Sequence, residues 1–530
     1  MRAAGARVRF PHVDPVSSAG PPGPKPVGSA RWGMLAVLCA SLLLVAMDAT
    51  ILNVALPSLI TEMRPDALEQ LWIIDIYGLV LGGLLVTAGA VGDRLGRKLL
   101  FVTGFALFGA ASVLAATAGF ADSVLQLIAG RVLLAIGGAM VMPSTLSLIR
   151  TIFTDPHERT LAIGIWAAVA GAGAAIGPLV GGVLVDAFSW SAAFWVNVPV
   201  VAVTLVAAVL LLPEYRSPSH HDLDLPSAVL SVAGVIATAW GIKHLAGGFR
   251  PADLAVLLVG LAALTWFVRR QLVAADPLLD VRLFANRPFL AAALATLIAM
   301  MAIGAALFLL SLWLQYVQGH DALQAGLRTL PVALAALAAA LLTPWLLRHT
   351  GVRPVLTAGL AALLCGFVLL AAAPQPLGYG TVVIALVTFG LGDGLAITAS
   401  AAVMVAAVRP ERAGQAGAVS ESAYELGIGF GVALLGSVHN TLYRSGMTGL
   451  PEAVRGGELE SARESVGGAE QVARTLGHDT EEGRALLLTA RSAFDDALTA
   501  TSWVSVGIVA VAVVLAAALV PRGFRADSAH

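Results

Sequence analysis

The chain has 530 residues, of which 58% are hydrophobic and only 12% are charged, and its formal net charge is -1. A soluble domain has about a quarter of its residues charged, so this composition excludes an ordinary soluble protein and indicates a polytopic membrane protein. The sequence contains no basic face suited to nucleic acid, so nucleic acid is not expected as a partner. Cys39 and Cys365 lie in separate apolar runs, which argues against a disulfide framework or a cysteine metal site.

The apolar runs predict the membrane spans. A bilayer-spanning helix needs about 20 mostly apolar residues, and about fourteen runs meet that rule. The predicted fold class is therefore all-α, with spans at residues 33–61, 70–91, 99–119, 123–149, 160–186, 192–212, 226–246, 252–270, 288–316, 323–347, 353–373, 378–408, 413–442 and 498–520.

Sequence similarity between two connectors predicts an internal repeat. Residues 348–353 follow the tenth span as residues 93–98 follow the second, which indicates two homologous six-helix bundles with two extra helices between them. The predicted organisation begins with a disordered cytoplasmic tail (1–31), a first six-helix bundle (32–212) and two linker helices with cytoplasmic connectors (213–287). Five helices of a second bundle (288–442), an extracytoplasmic loop (443–497), the last helix of that bundle (498–520) and a cytoplasmic tail (521–530) follow.

Lysine and arginine predict the orientation, because cytoplasmic loops retain positive charge. These residues cluster at the N-terminus and in alternate connectors, whereas the short loops on the other side offer Arg64, Lys243 and Arg250. Both termini are therefore predicted to be cytoplasmic, in a multi-pass protein of the cell membrane. The loop 443–497 is more acidic than basic and is interpreted either as a partly helical external cap or as a floppy spacer.

Isolated charges inside the spans are the sharpest functional signal, because each costs about 2.5–3.5 kcal/mol at a helix centre on insertion scales. A carboxyl group can hold a proton in a dry pocket and release it to a cationic ligand or to water, which is the chemistry of proton and substrate exchange. Arg131 is the expected partner of Asp48. The alternative is that some of these acids are fixed structural locks. The candidates for proton coupling and substrate binding are Asp48, Asp75, Arg131, Asp393, Glu421 and Glu425.

Aromatic residues on the second and ninth spans have two possible roles. They are suited to stacking on a planar or cationic ligand, but residues of this kind near span ends are more often interfacial anchors, which is the reading we favour. The residues are Trp72, Tyr77, Trp313 and Tyr316. A lone His439 is interpreted as structural rather than as a proton relay.

Three motifs resemble the fourteen-helix drug/proton antiporters of the major facilitator superfamily. Residues 47–57 (MDATILNVALP) resemble the first-span pattern of that family, with Met47 and Leu52 replacing its Leu and Val. The loop after span two matches the superfamily loop, and span five matches the antiporter motif. In span four, Arg131 is retained, but Leu134 and Ala135 stand where the family has Gln and Gly.

Each of the two connector and hinge motifs has a physical rationale and a simpler alternative. The charged loop is predicted to act as a conformational latch or, alternatively, to be positive-inside anchoring; its residues are Gly89, Asp93, Arg94, Gly96, Arg97 and Lys98. The glycines of span five are predicted to form a closely packed hinge kinked by proline, or only ordinary helix packing; these residues are Gly173, Gly177, Pro178, Gly181 and Gly182.

The predicted function is proton-coupled export of lipophilic, cationic drugs or dyes, with a monomer as the working unit. No cofactor or metal is expected, since the proton gradient supplies the energy. The alternatives are a dedicated exporter of a neutral or anionic natural product, import by proton symport, or a sensor without transport. An enzyme is not expected, because the sequence contains no metalloprotease, nucleophile-elbow or phosphate-loop motif.

Overall fold

The computed structural model describes residues 30–214, 224–247, 250–274, 277–408, 413–451 and 454–522. Most of the predicted disordered N-terminal tail lies outside these ranges. Every element among the described residues is helical, and the helices fall into two groups separated by a pair of extra helices.

The first group begins with the helix that contains Asp48 and ends before residue 212. Its members are α1 (Ala30–Met63), α2 (Ala67–Leu95), α3 (Arg97–Ala116), α4 (Val124–Ile152), α5 (Pro156–Ala187), the single turn α6 (Ala192–Trp195) and α7 (Asn197–Leu211). The extra pair is α8 (Leu225–Gly247) and α9 (Pro251–Val273).

The second group begins after a short 3₁₀ turn at Val281–Ala285 and includes two π-helical turns, Trp313–Val317 and Val432–Gly436. Its members are α10 (Arg287–Leu312), α11 (Ala322–Thr350), α12 (Val352–Ala371), α13 (Tyr379–Ala406), α14 (Ala413–Gly431), α15 (Ser437–Gly446), α16 (Gly457–Glu464), α17 (Val466–Leu476) and α18 (Glu481–Leu519).

The predicted membrane fold is confirmed. Thirteen helical segments among the described residues are long and apolar enough to cross a bilayer. The remaining predicted span, 160–186, lies within the 32-residue helix α5. The predicted last span starts at residue 498, but α18 is one 39-residue helix that begins at Glu481, so it continues from the 443–497 segment without a break.

The same packing order occurs in both groups. In the first group α1 packs on α5, α2 on α4, α3 on α4 and α3 on α7; in the second, α10 packs on α14, α11 on α13, α12 on α13 and α12 on α18. The groups meet through α2 with α14 and α5 with α11, so the second helix of each group packs on the fifth helix of the other. We call these two groups the N-terminal and C-terminal halves.

The two connectors with related sequences, residues 93–98 and 348–353, have similar backbone geometry. Gly96 separates α2 from α3 with φ 115°, and Gly351 separates α11 from α12 with φ 82°. Both angles lie in the region that favours glycine. Each glycine also donates its amide to the preceding helix, to Gly92 and to Leu347 respectively.

Helix α1 ends at the same face of the helical assembly at which α16 and α17 of the 443–497 segment lie. We call this face the insert side, after that segment, and the opposite face the terminal side. On the insert side, α2 begins with a reciprocal cap: Glu69 donates its amide to Asp66 Oδ1 at 2.6 Å, and Asp66 donates its amide to Glu69 Oε2 at 2.9 Å.

Candidate functional site

Asp48 and Arg131 form a buried ion pair in the N-terminal half. Arg131 Nη1 lies 2.7 Å from Asp48 Oδ2, and the two side chains are 1% and 0% exposed. The guanidinium also donates to the carbonyl of Ile73 at 3.2 Å and lies 4.5 Å from the centroid of the Tyr77 ring. Arg131 therefore joins α4 to α1 and to α2.

The second oxygen of Asp48 is bound by an amide that the sequence did not indicate. Asn197, at the start of α7, donates from Nδ2 to Asp48 Oδ1 at 3.0 Å. The same group lies 3.1 Å from Ser112 Oγ. All three side chains are fully buried. A carboxylate that accepts bonds from both an arginine and an amide has the geometry of a fixed network, and the predicted proton-coupling role of Asp48 stays a prediction.

Asp75 also has a buried cation partner, and it comes from an extra helix. Lys243 Nζ of α8 lies 2.9 Å from Asp75 Oδ1, and both side chains are 0% exposed. The same ammonium lies 3.7 Å from the centroid of the Trp72 ring. The assignment of Lys243 to a short external loop is therefore wrong. The sequence did contain a signal for this role, because a lysine inside an apolar run is as costly as an acid and needs a buried partner.

Glu421 and Glu425 lie on α14, the helix that packs on α2. Glu425 lies beside Gly78 and Gly82 of α2: a Cβ built on Gly78 would be 3.5 Å from Glu425 Oε2. Its carboxylate is within electrostatic range of Glu421 and of Arg131. Neither glutamate forms a hydrogen bond or ion pair with a described residue. Glu425 thus faces the contact between the halves, and neither acid is paired directly with a described cation.

Asp393 lies on α13, within electrostatic range of Tyr424. Its Oδ1 is buried and has no hydrogen-bond partner among the described residues. The flanking glycines pack on neighbouring helices: Gly392 lies against Gly359 of α12, and Gly394 lies against Ala336 of α11. They permit close helix contact and leave Asp393 Oδ1 available.

The span-five glycines pack α5 against two helices of different halves. A Cβ on Gly173, Gly177 or Gly181 would lie 2.8–3.0 Å from a carbonyl oxygen of α1. A Cβ on Gly182 would lie 2.6 Å from Leu323 Cα of α11, and Gly326 of α11 packs on the carbonyl of Pro178. The motif therefore forms part of the contact between the halves, where only small residues fit.

The loop between α2 and α3 makes its described contacts within the N-terminal half. Lys98 Nζ donates to the Val209 carbonyl at the end of α7, at 2.8 Å. Arg97 is buried and passes over Gly92, Arg94 is exposed, and Gly89 has open space beside it. The side chain of Asp93 lies outside the description. A latch role for this loop stays a prediction.

Side chains of the C-terminal half close the insert side by binding carbonyl groups of α1. The bonds run from Ser311 to Asn53, from Gln315 to Val54, from Tyr316 to Pro57 and from Gln471 to Ile60, at 2.6, 3.3, 3.2 and 2.7 Å. The carbonyl of Asn53 differs from the other three acceptors. Because Pro57 has no N–H, this carbonyl lacks the helical donor that residue 57 would otherwise supply. The insert helix α17 takes part in this closure through Gln471.

The four aromatic residues are inside the protein, and the interpretation as lipid-facing anchors is wrong. Trp72, Tyr77 and Tyr316 are at most 7% exposed and Trp313 is fully buried. Trp313 Nε1 donates to Asp495 Oδ1 of α18 at 2.8 Å. His439 packs edge-on against the ring of Phe494 at 4.4 Å. Intramolecular partners, not the bilayer interface, account for these positions.

Two packed helical halves, charged groups buried between them and a closure at one membrane face define a membrane transporter. Residues 38–432 match the Major Facilitator Superfamily, and the chain belongs to that family.

Characterised relatives point in the same direction. The chain is 40% identical over 495 residues to "Multidrug efflux pump LfrA" of Mycolicibacterium smegmatis, covering 93% of this chain and 96% of the relative. It is 35% identical over 470 residues to "Methyl viologen resistance protein SmvA" of Salmonella typhimurium, covering 88% and 93%. In fold it is similar to an inward-facing, unoccupied crystal structure of a bacterial homologue of the human lysosomal transporter Spinster, with a TM-score of 0.63, 18% identity and coverage of 93% and 98%.

Proposed function

We propose that this protein exports lipophilic cations across the cytoplasmic membrane in exchange for protons. The distribution of buried charge supports the proposal. Asp48 of α1 and Asp75 of α2 each contact a buried cation, whereas Glu421 and Glu425 of α14 have no ion-pair partner among the described residues. An excess of carboxylate at the contact between the halves suits a cation or a proton and disfavours an anion.

Competition for these carboxylates provides the exchange step. An ionised carboxylate is costly in apolar surroundings unless it is paired. The site is therefore stable with a proton on Glu425 or with a bound cation beside it, and unstable when it is both empty and ionised. A cation arriving from one side displaces the proton, and a proton arriving from the other side displaces the cation. Asp393 supplies a further carboxyl group in the same half.

Alternating access follows from rocking of the two halves about this site. The small residues of the α2–α14 and α5–α11 contacts let the halves change their packing without deforming the helices. We assign the terminal side to the cytoplasm, because the lysine and arginine residues concentrate there. A monomer contains both halves, and the proton gradient supplies the energy without a cofactor.

The names of the relatives support the choice of substrate class. Methyl viologen, named for SmvA, is an aromatic dication, and LfrA is named as a multidrug efflux pump. We propose that this chain takes the same class of molecule: flat or bulky apolar ions with one or two positive charges.

The test uses inverted membrane vesicles from cells that lack their own efflux pumps, with ethidium as the transported cation. Wild-type vesicles are expected to accumulate ethidium when a pH gradient is imposed, and to lose it when nigericin collapses the gradient. Glu421→Gln/Glu425→Gln is expected to abolish gradient-driven accumulation, because neither position then exchanges a proton. Glu69→Gln is the matched control: Glu69 is a helix-capping acid on α2, and glutamine supports the same cap.

Two results would reject the proposal. One is ethidium transport by the wild-type protein that nigericin leaves unchanged, which removes proton coupling. The other is full accumulation by the double glutamine variant at wild-type expression, which shows that the carboxylates of α14 are not the exchange groups.

A further inference from the structure

Asp75 and Trp72 form a buried cation site, and Lys243 occupies it. The ammonium lies 2.9 Å from Asp75 Oδ1 and 3.7 Å from the centroid of the Trp72 ring. A carboxylate combined with the face of a tryptophan is the arrangement that proteins use to bind organic cations. In this structure the cation is supplied by the chain itself.

The local geometry follows from helix periodicity. Trp72 and Asp75 are three residues apart on α2, and Trp240 and Lys243 are three apart on α8, so each pair shares one helix face. Trp72 and Trp240 pack with their ring centroids 5.7 Å apart. The two faces thus meet as a matched set in which α2 supplies the acid and α8 supplies the base.

Lysine does not use all of the binding capacity of this site. Asp75 Oδ2 and Trp72 Nε1 are both buried and have no hydrogen-bond partner among the described residues. Asp75 is 1% exposed and Trp72 is 7% exposed, so the two unused polar atoms lie inside the protein. A buried polar atom without a partner is costly, and a ligand that contacts Asp75 Oδ2 would remove that cost.

The site borders the contact at which we place the transported cation. Asp75 lies three and seven residues before Gly78 and Gly82, so it is on the α2 face that meets Glu425. Helix α8 also contacts α15 and the π-helical turn at Val432–Gly436 in the C-terminal half. A change in the packing of the halves therefore alters the surroundings of Lys243.

We propose that Asp75 and Trp72 form a second cation subsite, that Lys243 occupies it as a tethered ligand, and that displacement of Lys243 determines how well the protein accepts dications. The inference rests on the proposed function. A monocation is bound by the carboxylates of α14 alone. The second charge of a dication needs another carboxylate, and Asp75 supplies it when Lys243 moves aside.

The experiment measures binding of two probes to the full-length protein in nanodiscs: methyl viologen as the dication and N-methyl-4-phenylpyridinium as the monocation. Lys243→Met is expected to bind methyl viologen about tenfold more tightly than the wild-type protein, because Asp75 is no longer masked, a change equivalent to about 1.4 kcal/mol. Its affinity for the monocation is expected to stay within about twofold. In Lys243→Met/Asp75→Asn the gain is expected to disappear.

A charge exchange addresses the stability of the unpaired acid in Lys243→Met. Asp75→Lys/Lys243→Asp keeps the ion pair but moves the carboxylate from α2 to α8, away from the face that meets Glu425. A purely structural pair predicts wild-type binding of both probes. The subsite predicts weaker methyl viologen binding with unchanged monocation binding.

The matched control is a second ion pair at the extra helices α8 and α9. Arg270 of α9 lies 2.9 Å from Asp224 Oδ1, just before α8, at the opposite end of that helix. Asp224→Asn/Arg270→Gln is expected to leave the ratio of the two affinities unchanged. Wild-type ratios in both Lys243→Met and the exchanged pair would reject the subsite alone. Failure of the wild-type protein to bind either probe would reject the proposed function together with the subsite.

Discussion

Ser311 donates a hydrogen bond of 2.6 Å to the carbonyl of Asn53, which lacks its helical donor because residue 57 is proline. Ser311→Ala is expected to cost about 0.5–1.5 kcal/mol of unfolding free energy. In a Pro57→Ala background the alanine amide can bond Asn53, so the same change is expected to cost less. A double-mutant cycle on thermal or denaturant unfolding in nanodiscs measures this coupling.

The control for that cycle is Ser505→Ala, since Ser505 bonds the Thr501 carbonyl of its own helix at 3.0 Å. Its effect is expected to add to that of Pro57→Ala without coupling. Equal costs of Ser311→Ala in both backgrounds would contradict the assigned role of the bond.

Asn197 is expected to be essential to the network around Asp48. Asn197→Ala removes the donor to Asp48 Oδ1 and is expected to lower the unfolding free energy by about 1–3 kcal/mol, the cost of leaving a buried acceptor unpaired. Asn197→Asp is expected to be worse, because it places a second carboxylate beside the first. Asn286→Ala is the control: Asn286 is an exposed amide that bonds the Ala407 carbonyl at 3.2 Å. Equal losses at the two asparagines would count against the network.

Gly182 and Gly507 are expected to respond oppositely to alanine. Alanine in place of a helical glycine stabilises by about 0.5–1 kcal/mol where space allows, and a Cβ at Gly507 meets nothing within 4 Å. At Gly182 the Cβ would lie 2.6 Å from Leu323 Cα, and we expect a net loss of about 1–3 kcal/mol from overpacking. Gly182→Ala is also expected to slow ethidium transport. A stabilising Gly182→Ala would show that α5 and α11 are less tightly packed than described.

Asp224 is expected to give the α8–α9 pair a dependence on acid. Hydrogen bonds from Arg270 hold the pKa of the Asp224 carboxyl below its usual value. A lowered native pKa stabilises the fold above the unfolded value of about 3.9, and this contribution is lost as pH falls through the native pKa. Asp224→Asn is therefore expected to cost roughly 0–1 kcal/mol at pH 7, as ion pairs near the surface do, and progressively less as the pH falls through the native pKa. A cost that does not decrease with falling pH would assign the effect to the side chain's shape.

Much of the fold could be predicted because membrane spans are recognised from local apolar length. Asp48, Asp75 and Arg131 were recognised for the same reason, since a charge in an apolar run is conspicuous in one dimension. Their partners were harder to identify. Asn197 is neutral and lies 149 residues from Asp48, and single-sequence patterns contain no information on contacts at that distance. Lys243 was placed outside the membrane because it lies near the end of its span.

Helix α18 has a mechanical implication. Its 39 residues correspond to about 58 Å at 1.5 Å per residue, about twice the thickness of the hydrocarbon core of a bilayer. Force applied to the insert-side portion of α18, which packs on α15 and α17, would be transmitted to the membrane-spanning portion because no break separates the two. An antibody fragment that binds this portion is consequently expected to slow turnover without contacting the acids of α14.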